Sequence, residues 1–180
     1  IYVPKRHGRL FGRIVAFDSL YEAYLKARRN KRYRPEVLAF SEKLEENLIQ
    51  IQNELIWGRY RTGRYRTFYV HEPKTRLVAA LPFKDRVVHH AIVAVIEPLF
   101  ERQFIGDSYA CRPGKGMHAG ADRVQQWLRQ CRHNWGAVYC LKADVKKYFP
   151  SINHNALKRI LRRTIKDKHV LALLDEIIES

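Results

Sequence analysis

Residues 141–154 read LKADVKKYFPSINH, and this stretch decides which fold the sequence predicts. With the apolar residues before it, it predicts a buried strand over 136–144 with Asp144 at its carboxyl end, then a turn and a helix capped by Asn153. An aspartate in this place can hold Mg²⁺, which prefers carboxylate oxygens. The alternative is a solvated aspartate neutralised by the neighbouring lysines, because a single aspartate does not make a catalytic site.

The segments before this strand alternate between helical and strand patterns. Helical spacing begins at Asp18, a predicted N-cap, and Pro35 opens a second helix with an apolar stripe that continues to about residue 58. Two runs rich in strand-forming residues, 65–70 and 76–81, enclose a short segment that contains a proline. This arrangement predicts a β-hairpin.

The remaining segments complete the prediction of an α+β chain. One predicted helix spans 85–104, with Asp85 as its cap and Pro98 expected to kink or break it. Another spans 117–133 after a glycine-rich loop, and the chain is predicted to be helical beyond the capping asparagine. Residues 1–17 are basic and predict a flexible or partner-ordered lead-in.

The chain carries a formal net charge of +16 over 180 residues, which implies a polyanionic partner. Neutralising phosphates releases their counterions and gives strong affinity that does not depend on base sequence. A membrane surface would also attract this charge, but the sequence has no long apolar span and no signal peptide. Nucleic acid is therefore the predicted partner. The basic residues cluster in four segments, 5–13, 26–34, 59–66 and 158–168.

The cysteines indicate neither a disulfide framework nor a metal site. Cys111, Cys131 and Cys140 are odd in number and form no CxxC pair and no Cys/His ligand spacing. They fit the reduced thiols of a cytosolic protein, so a cytoplasmic location is predicted. The 46 % of residues that are apolar are enough to bury a core, which argues against disorder.

Four segments together resemble the reverse transcriptases. The pattern DVxxYFxSI from Asp144 resembles the first catalytic motif of that family. LPFKDRVVHHAI, EPLFERQF and SYACRPGKGMHAG match, in order, the fingers motifs of its bacterial branch, which includes group II intron enzymes and diversity-generating retroelement enzymes. EPKTRLVAALPFKDR and SYACRPGKGMHAG are most similar to the retroelement type. The resemblance implies a right-hand polymerase with a lead-in at 1–17, fingers at 18–134 and the start of the palm at 135–180.

The resemblance implies roles for Asp144 and the turn that follows it. Asp144 would bind both catalytic metal ions and the Val145 carbonyl one of them, the ions being Mg²⁺, with Mn²⁺ as the alternative. The backbone amides of Lys147 and Tyr148 would hold the triphosphate. Phe149 would lie under the sugar and exclude a 2′-hydroxyl group. The alternative for the two aromatic residues is packing in the core, which we expect of Tyr148.

The resemblance also implies roles for basic residues in two loops. Lys74 and Arg76 match the pair that closes on the incoming triphosphate, lysine as a point charge and arginine as a bidentate fork, although this loop is shorter than in many relatives. Arg112, Lys115 and Gly116 would contact the template, and the glycine would allow its close approach. RPGKG does not meet the P-loop pattern. The alternative for both loops is a solvated turn.

The sequence lacks the second carboxylate pair that this class of enzyme needs, since no Tyr-x-Asp-Asp motif occurs in it. Because the chain begins at Ile1 rather than methionine and ends at Ser180 inside a predicted helix, we expect it to be a fragment that is inactive alone.

The function predicted for the parent protein is RNA-directed DNA polymerisation, most like that of a diversity-generating retroelement. Its predicted partners are an RNA template, a primer or cDNA strand, deoxynucleoside triphosphates and a small basic accessory protein, with no membrane. Three alternatives stay open. They are a group II intron-type reverse transcriptase or maturase, a non-catalytic RNA-binding module, and a piece that docks a partner protein.

Overall fold

A computed structural model describes residues 6–71 and 73–180 of the chain. Within these residues the protein has eight α-helices, one short 3₁₀ helix and a two-stranded antiparallel sheet, which agrees with the predicted α+β class. The chain forms two compact units. The first unit contains the described residues up to Pro98 together with Asn153–Ser180, and the second unit is Leu99–Ile152.

The first unit begins with four helices. They are α1 (Phe11–Val15), α2 (Phe17–Ala27), α3 (Pro35–Glu42) and α4 (Leu44–Ile56). Pro35 occupies the first turn of α3 as predicted, because proline needs no backbone hydrogen bond there. Asp18 is not the cap of α2, which begins one residue earlier, but it lies in the first turn, where the helix dipole favours a negative charge.

The predicted long helix after Pro35 is interrupted at Lys43, whose φ of −122° and ψ of 50° are not helical. The Ser41 hydroxyl donates to the carbonyl of Val37 at 2.6 Å, and the Asn47 amide donates to the carbonyl of Phe40 at 2.9 Å. These side chains satisfy carbonyl groups at the end of α3, so two shorter helices replace the single helix that the apolar stripe predicted.

The core of the first unit is formed by apolar side chains from both ends of the chain. Buried side chains come from α1, α2, α4 and α5 and also from the C-terminal segment 164–174. The fully buried side chains include Ile14, Leu20, Tyr24, Leu48, Ile51, Val87, Val88, Ile165 and Val170. The core therefore depends on contacts between residues far apart in sequence.

The predicted hairpin is confirmed as strands β1 (Arg66–Val70) and β2 (Arg76–Ala80). Their antiparallel register pairs Arg66 with Ala80 and Val70 with Arg76. Every residue of β1 is exposed. The ribbon consequently presents side chains to solvent on both faces, and it places residue 76 at the end next to the connecting turn.

Helix α5 (Phe83–Glu101) follows the hairpin and begins two residues before the predicted cap. Pro98 lies inside the helix, which continues past it to Glu101, although proline cannot donate the usual backbone hydrogen bond. The boundary between the two compact units falls directly after Pro98.

The C-terminal part of the first unit contains α7 (His154–Thr164) and α8 (Lys168–Glu179). Asn153 caps α7 as predicted, since its side-chain oxygen accepts a hydrogen bond from the backbone N–H of Ala156 at 2.9 Å. Asp167 caps α8 in the same way, by accepting from His169 and Val170.

Residues 6–17 of the lead-in are held by the C-terminal part of the first unit, so the prediction that the lead-in is flexible or ordered by a partner is wrong for these residues. Residues 1–5 lie outside the described residues. The backbone of His7 bridges the residues on either side of Ile165, with both N–H···O distances 2.8 Å. The second carboxylate oxygen of Asp167 accepts from the N–H groups of Leu10 and Phe11 at 2.7 and 3.0 Å. One aspartate thus holds the starts of both α1 and α8.

The second unit contains α6 (Met117–Trp135), which has no buried residue, and the 3₁₀ helix Phe149–Ser151. The predicted buried strand over 136–144 is wrong. Tyr139 is 95 % exposed and Leu141 92 % exposed, and no described residue pairs with this segment. A strand exists only through hydrogen bonds to a neighbouring strand, so an apolar run without such a neighbour stays irregular.

Candidate functional site

The turn from Asp144 to Ser151 in the second unit contains most of the predicted catalytic residues. Asp144 is exposed and has no ion pair or hydrogen bond among the described residues, although lysines precede and follow it in sequence. Val145 is also exposed. The turn therefore presents a carboxylate that no basic side chain of the described chain neutralises by contact.

The local backbone explains why the chain turns here. Lys147 adopts a φ of +52°, which is uncommon for a residue with a side chain and is typical of tight turns. Its carbonyl accepts a hydrogen bond from the N–H of Ser151 at 3.0 Å, and the Ser151 hydroxyl donates to the Tyr148 carbonyl at 2.8 Å. These bonds close the turn that the sequence predicted between Asp144 and the capping Asn153.

The two aromatic residues of the turn are both accessible. Tyr148 is 56 % exposed and Phe149 81 % exposed, and their rings meet edge to face with centroids 5.3 Å apart. The expectation that Tyr148 packs into the core is wrong, because the second unit has no buried core near it. The ring of Phe149 is free to contact a ligand, and its predicted role under a sugar stays a prediction.

The chain's own residues do not complete a metal centre. Across residues 6–71 and 73–180, no group of three histidine, cysteine, aspartate or glutamate side chains is close enough to hold an ion. Asp144 and the carbonyl of Val145 could supply two oxygen ligands. A two-metal site requires further carboxylates, so the described residues fit one part of such a site and not the whole.

The side chain of Arg112 forms its ion pair and hydrogen bonds within the second unit. Its side chain is only 8 % exposed and forms an ion pair with Glu101, with Nε 2.8 and 3.0 Å from the two carboxylate oxygens. One terminal nitrogen also donates to the carbonyls of Ile105 and Ser108 at 2.8 and 2.9 Å. The hydrogen bond from Arg112 holds the pKa of the Glu101 carboxyl below its usual value. This arginine therefore fixes the fold of the loop, whatever the loop binds.

Lys115 of the RPGKG loop also contacts neighbouring residues of the second unit. The Lys115 ammonium group donates to the carbonyl of Gly106 and lies 5.7 Å from the centre of the Tyr109 ring. Gly116 precedes α6 with extended backbone, and a Cβ added to it would meet nothing within 4 Å. A side chain would fit there, and the template contacts assigned to this loop stay predictions.

The other two predicted basic residues belong to the first unit. Lys74 lies in the turn of the hairpin, and Arg76 is the first residue of β2, opposite Val70. Both are exposed, and neither has a side-chain partner among the described residues. Their charges are available to an anion, and their role at the triphosphate stays a prediction.

A buried polar anchor that was not predicted from the sequence lies at the start of the hairpin. Asp85 is 2 % exposed and accepts hydrogen bonds from the Tyr60 hydroxyl at 2.6 Å and the Gly63 N–H at 3.3 Å. A Cβ on Gly63 would lie 2.8 Å from the other Asp85 oxygen and from Pro82. Burial and the Asp85 carboxylate both raise the pKa of the Tyr60 hydroxyl.

A sequence signal for this anchor existed. Asp85, Val88 and Ile92 recur at helical spacing, which puts the aspartate on the buried face of α5 rather than at its cap. The anchor fixes the residues that enter β1.

None of the helices in the described part of the chain is long and apolar enough to cross a membrane.

Comparison with known proteins adds a second line of argument. No protein-family model matches the chain. The chain is 28 % identical over 140 residues to protein YkfC of Escherichia coli K12, a match that covers 77 % of this chain and 36 % of YkfC. It is 27 % identical over 146 residues to nuclear intron maturase 2, mitochondrial, of Arabidopsis thaliana, covering 72 % of this chain and 19 % of the maturase.

A third match spans almost the whole chain. The group II intron-encoded protein LtrA of Lactococcus lactis is 23 % identical over 181 residues, covering 96 % of this chain and 29 % of LtrA. The chain is related to intron maturases and group II intron-encoded proteins. This relationship supports a reverse transcriptase-related family. The chain spans about a fifth to a third of the length of these relatives.

Proposed function

We propose that the protein carrying this chain is an RNA-directed DNA polymerase of the group II intron-like branch, and that the chain contributes its fingers and the start of its palm. The observation that carries the proposal is the turn at 144–151. In a chain of net charge +16, Asp144 is an exposed carboxylate without an ion-pair partner among the described residues, followed by a tight turn and two accessible rings. This arrangement matches the motif through which the sequence resembles reverse transcriptases.

Within the proposed activity, each part of the turn has a task that suits its geometry. Asp144 and the Val145 carbonyl contribute oxygen ligands for the divalent ions, which assist phosphoryl transfer when bound together with carboxylates from elsewhere in the protein. The N–H groups of Lys147 and Tyr148 hold the triphosphate, and Phe149 contacts the sugar. Lys74 and Arg76, both without side-chain partners among the described residues, bind the triphosphate from the hairpin.

The intron-type branch is the better supported of the two considered from the sequence. The relatives named above include an intron maturase and an intron-encoded protein. The diversity-generating retroelement type, with its small basic accessory protein, rests on the motifs EPKTRLVAALPFKDR and SYACRPGKGMHAG alone.

Primer extension by the whole protein tests the proposal. The assay uses an RNA template with an annealed DNA primer, labelled deoxynucleotides and Mg²⁺, and compares wild type with Asp144→Asn. We expect the substitution to lower the extension rate by at least ~100-fold, because it removes a metal-ligand charge. Asp122→Asn is the matched control, since Asp122 is an exposed aspartate of α6 without a side-chain partner among the described residues.

The possible results separate the proposal from its rivals. Extension by wild type and by Asp122→Asn, but not by Asp144→Asn, supports both the activity and the role of Asp144. Equal extension by all three proteins removes Asp144 from the site. If no protein extends the primer while RNA still binds, the protein is a non-catalytic RNA-binding module.

A further inference from the structure

A cleft in the first unit has arginines on three different elements. Its volume is about 240 Å³. Arg34 comes from the loop between α2 and α3, Arg64 and Arg66 from the start of the hairpin, and Arg86 from α5. In the sequence the first three belong to two separate basic clusters, 26–34 and 59–66, and only the fold brings them together.

The cleft has an excess of positive charge that its own residues do not compensate. Glu36, its one acidic lining residue, is paired with Arg86. Arg34 and Arg64 have no side-chain partner among the described residues, and Arg66 has only a contact with the ring of Phe68, 5.8 Å from its centre. Three guanidinium groups in one cleft therefore keep their donors for an anion, and guanidinium matches phosphate oxygens in a bidentate manner.

The backbone holds each wall of the cleft in place. Arg34 directly precedes Pro35, which restricts its backbone to the extended conformation observed. Arg64 follows Gly63, which the buried Asp85 holds by a hydrogen bond. The cleft is thus formed before a ligand arrives, which lowers the entropy lost on binding.

The cleft lies away from the predicted triphosphate residues of the same hairpin. Arg66 pairs with Ala80 at one end of the ribbon, and Arg76 pairs with Val70 at the other. At about 3.3 Å per residue, the four residue steps from Arg66 to Val70 separate the two ends by about 13 Å. An anion in the cleft is therefore a different phosphate from the one proposed for Lys74 and Arg76.

Aromatic rings beside the arginines indicate what kind of phosphate compound fits. Tyr33, next to Arg34, is 90 % exposed in a loop whose other residues include Arg29, Lys31 and Arg32. Phe68 lines the cleft and is partly exposed. Basic residues along a path with accessible rings bind single-stranded nucleic acid, because the charges follow the backbone and unpaired bases stack on the rings.

We propose that this arginine cleft, through Arg34, Arg64 and Arg66 beside Phe68, binds the phosphate backbone of single-stranded RNA. The inference rests on the proposed function and deepens it, because it names where the protein holds RNA away from the reacting triphosphate. The bound segment is unpaired, because the accessible rings of Tyr33 and Phe68 can stack on unpaired bases and not on bases stacked inside a duplex.

RNA-binding measurements on the whole protein test the proposal. The probe is a fluorescent 20-nucleotide oligouridine, with a 20-base-pair RNA duplex for comparison, each titrated at several salt concentrations. The test variant carries Arg34→Gln, Arg64→Gln and Arg66→Gln. The control variant carries Arg102→Gln, Arg129→Gln and Arg132→Gln, three exposed arginines outside the cleft that lack side-chain partners among the described residues.

We expect the cleft variant to bind oligouridine at least ~10-fold more weakly, and its salt slope to fall by about 2, since three phosphate contacts each contribute about 0.7 for a single strand. The control variant should bind within about 2-fold of wild type, and duplex affinity should change little. Equal losses in both variants would mean that only overall charge matters. An equal loss for duplex and single strand would overturn the single-strand assignment.

Two further measurements keep this test separate from the test of the proposed function. Asp144→Asn should bind oligouridine like wild type, and the cleft variant should still extend a primer when RNA is saturating. If wild type fails to extend but the cleft variant still loses RNA affinity, the cleft stands without the polymerase. A variant with lysine at the three positions keeps the charge and should recover part of the affinity, which a merely misfolded variant would not allow.

Discussion

The two compact units differ in how many of their residues are buried. The first unit has a buried core that includes Leu48, Val87 and Val170, whereas the second unit has no buried residue between Leu99 and Ile152. The residues proposed for catalysis around Asp144 belong to the second unit. The comparison teaches that the unit to which we assign the chemistry obtains little stability from its own packing, while the first unit has a buried core of its own.

A matched pair of leucine substitutions is the most direct test of this difference in burial between the two units. Leu48→Ala removes a side chain with no exposed surface, so we expect it to lower the free energy of unfolding of the 180-residue chain by about 2–5 kcal/mol. Leu128→Ala on α6 removes a leucine that is 41 % exposed and should lower it by less than about 1 kcal/mol. Urea unfolding followed by circular dichroism measures both. Similar losses would contradict the difference between the units.

A second test concerns the polar anchor of the first unit. Asp85→Ala leaves the Tyr60 hydroxyl and the Gly63 N–H without their acceptor, and an unsatisfied buried group costs about 1–3 kcal/mol. Asp122→Ala in the second unit removes an exposed aspartate and should change the free energy of unfolding by less than about 0.5 kcal/mol. Thermal unfolding at pH 7 distinguishes the two. An Asp85→Ala protein as stable as wild type would show that the anchor contributes nothing.

A third test uses the aspartate that holds the starts of α1 and α8. Burial alone would raise the pKa of Asp167, but hydrogen bonds from the N–H groups of Phe11, Leu10, Val170 and His169 outweigh it and lower the pKa below 3.8. Because the folded pKa lies below the unfolded one, this stabilisation is present above about pH 3.8 and is lost as the pH falls through the folded value.

Asp167→Ala should therefore lower stability near neutral pH by about 0.5–2 kcal/mol and have less effect in acid. Amide hydrogen exchange at Leu10 and Phe11 should speed up in the variant at pH 7. Unchanged exchange at those two amides would mean that the carboxylate does not hold the lead-in.

The smallest expected effect is at Leu141, in the segment predicted from sequence as a buried strand. Because this leucine is 92 % exposed, Leu141→Ala should change the free energy of unfolding of the 180-residue chain by less than about 0.5 kcal/mol. A loss of 2 kcal/mol or more would mean that the segment is buried after all. Urea unfolding of Leu141→Ala and Leu48→Ala under the same conditions measures the two free energies of unfolding.

The sequence predicted elements well where the cause is local. Pro35 opens α3, Asn153 caps α7 and the hairpin forms within one residue of its predicted ends, because each depends on neighbouring residues. The segment 136–144 shows the limit, since an apolar run becomes a strand only beside another strand. The orientation of Asp85 could have been read from helical spacing, but the contact of Asp167 with the start of α1 could not, because Leu10 and Phe11 lie more than 150 residues away.

The arginines show the same limit of prediction from sequence. Their number indicated a polyanionic partner from the sequence alone. Only the tertiary structure shows that Arg112 forms an ion pair with Glu101. It also shows that Arg34, Arg64 and Arg66 have no acidic partner among the described residues. Counting charges therefore predicted the kind of ligand and not the residues that are free to bind it.

The contact between Leu10 and Asp167 joins residues 157 positions apart, and it has a consequence for synthesis on the ribosome. The first unit is discontinuous, so its N-terminal helices emerge long before the C-terminal helices that complete their core. Until Asp167 and His169 have been translated, the N–H groups of Leu10 and Phe11 lack their acceptor and the Phe11 ring lacks the ring that it contacts. The nascent chain therefore passes through a period in which chaperones have a surface to bind, and a ribosome stalled before α8 would hold a first unit that cannot close.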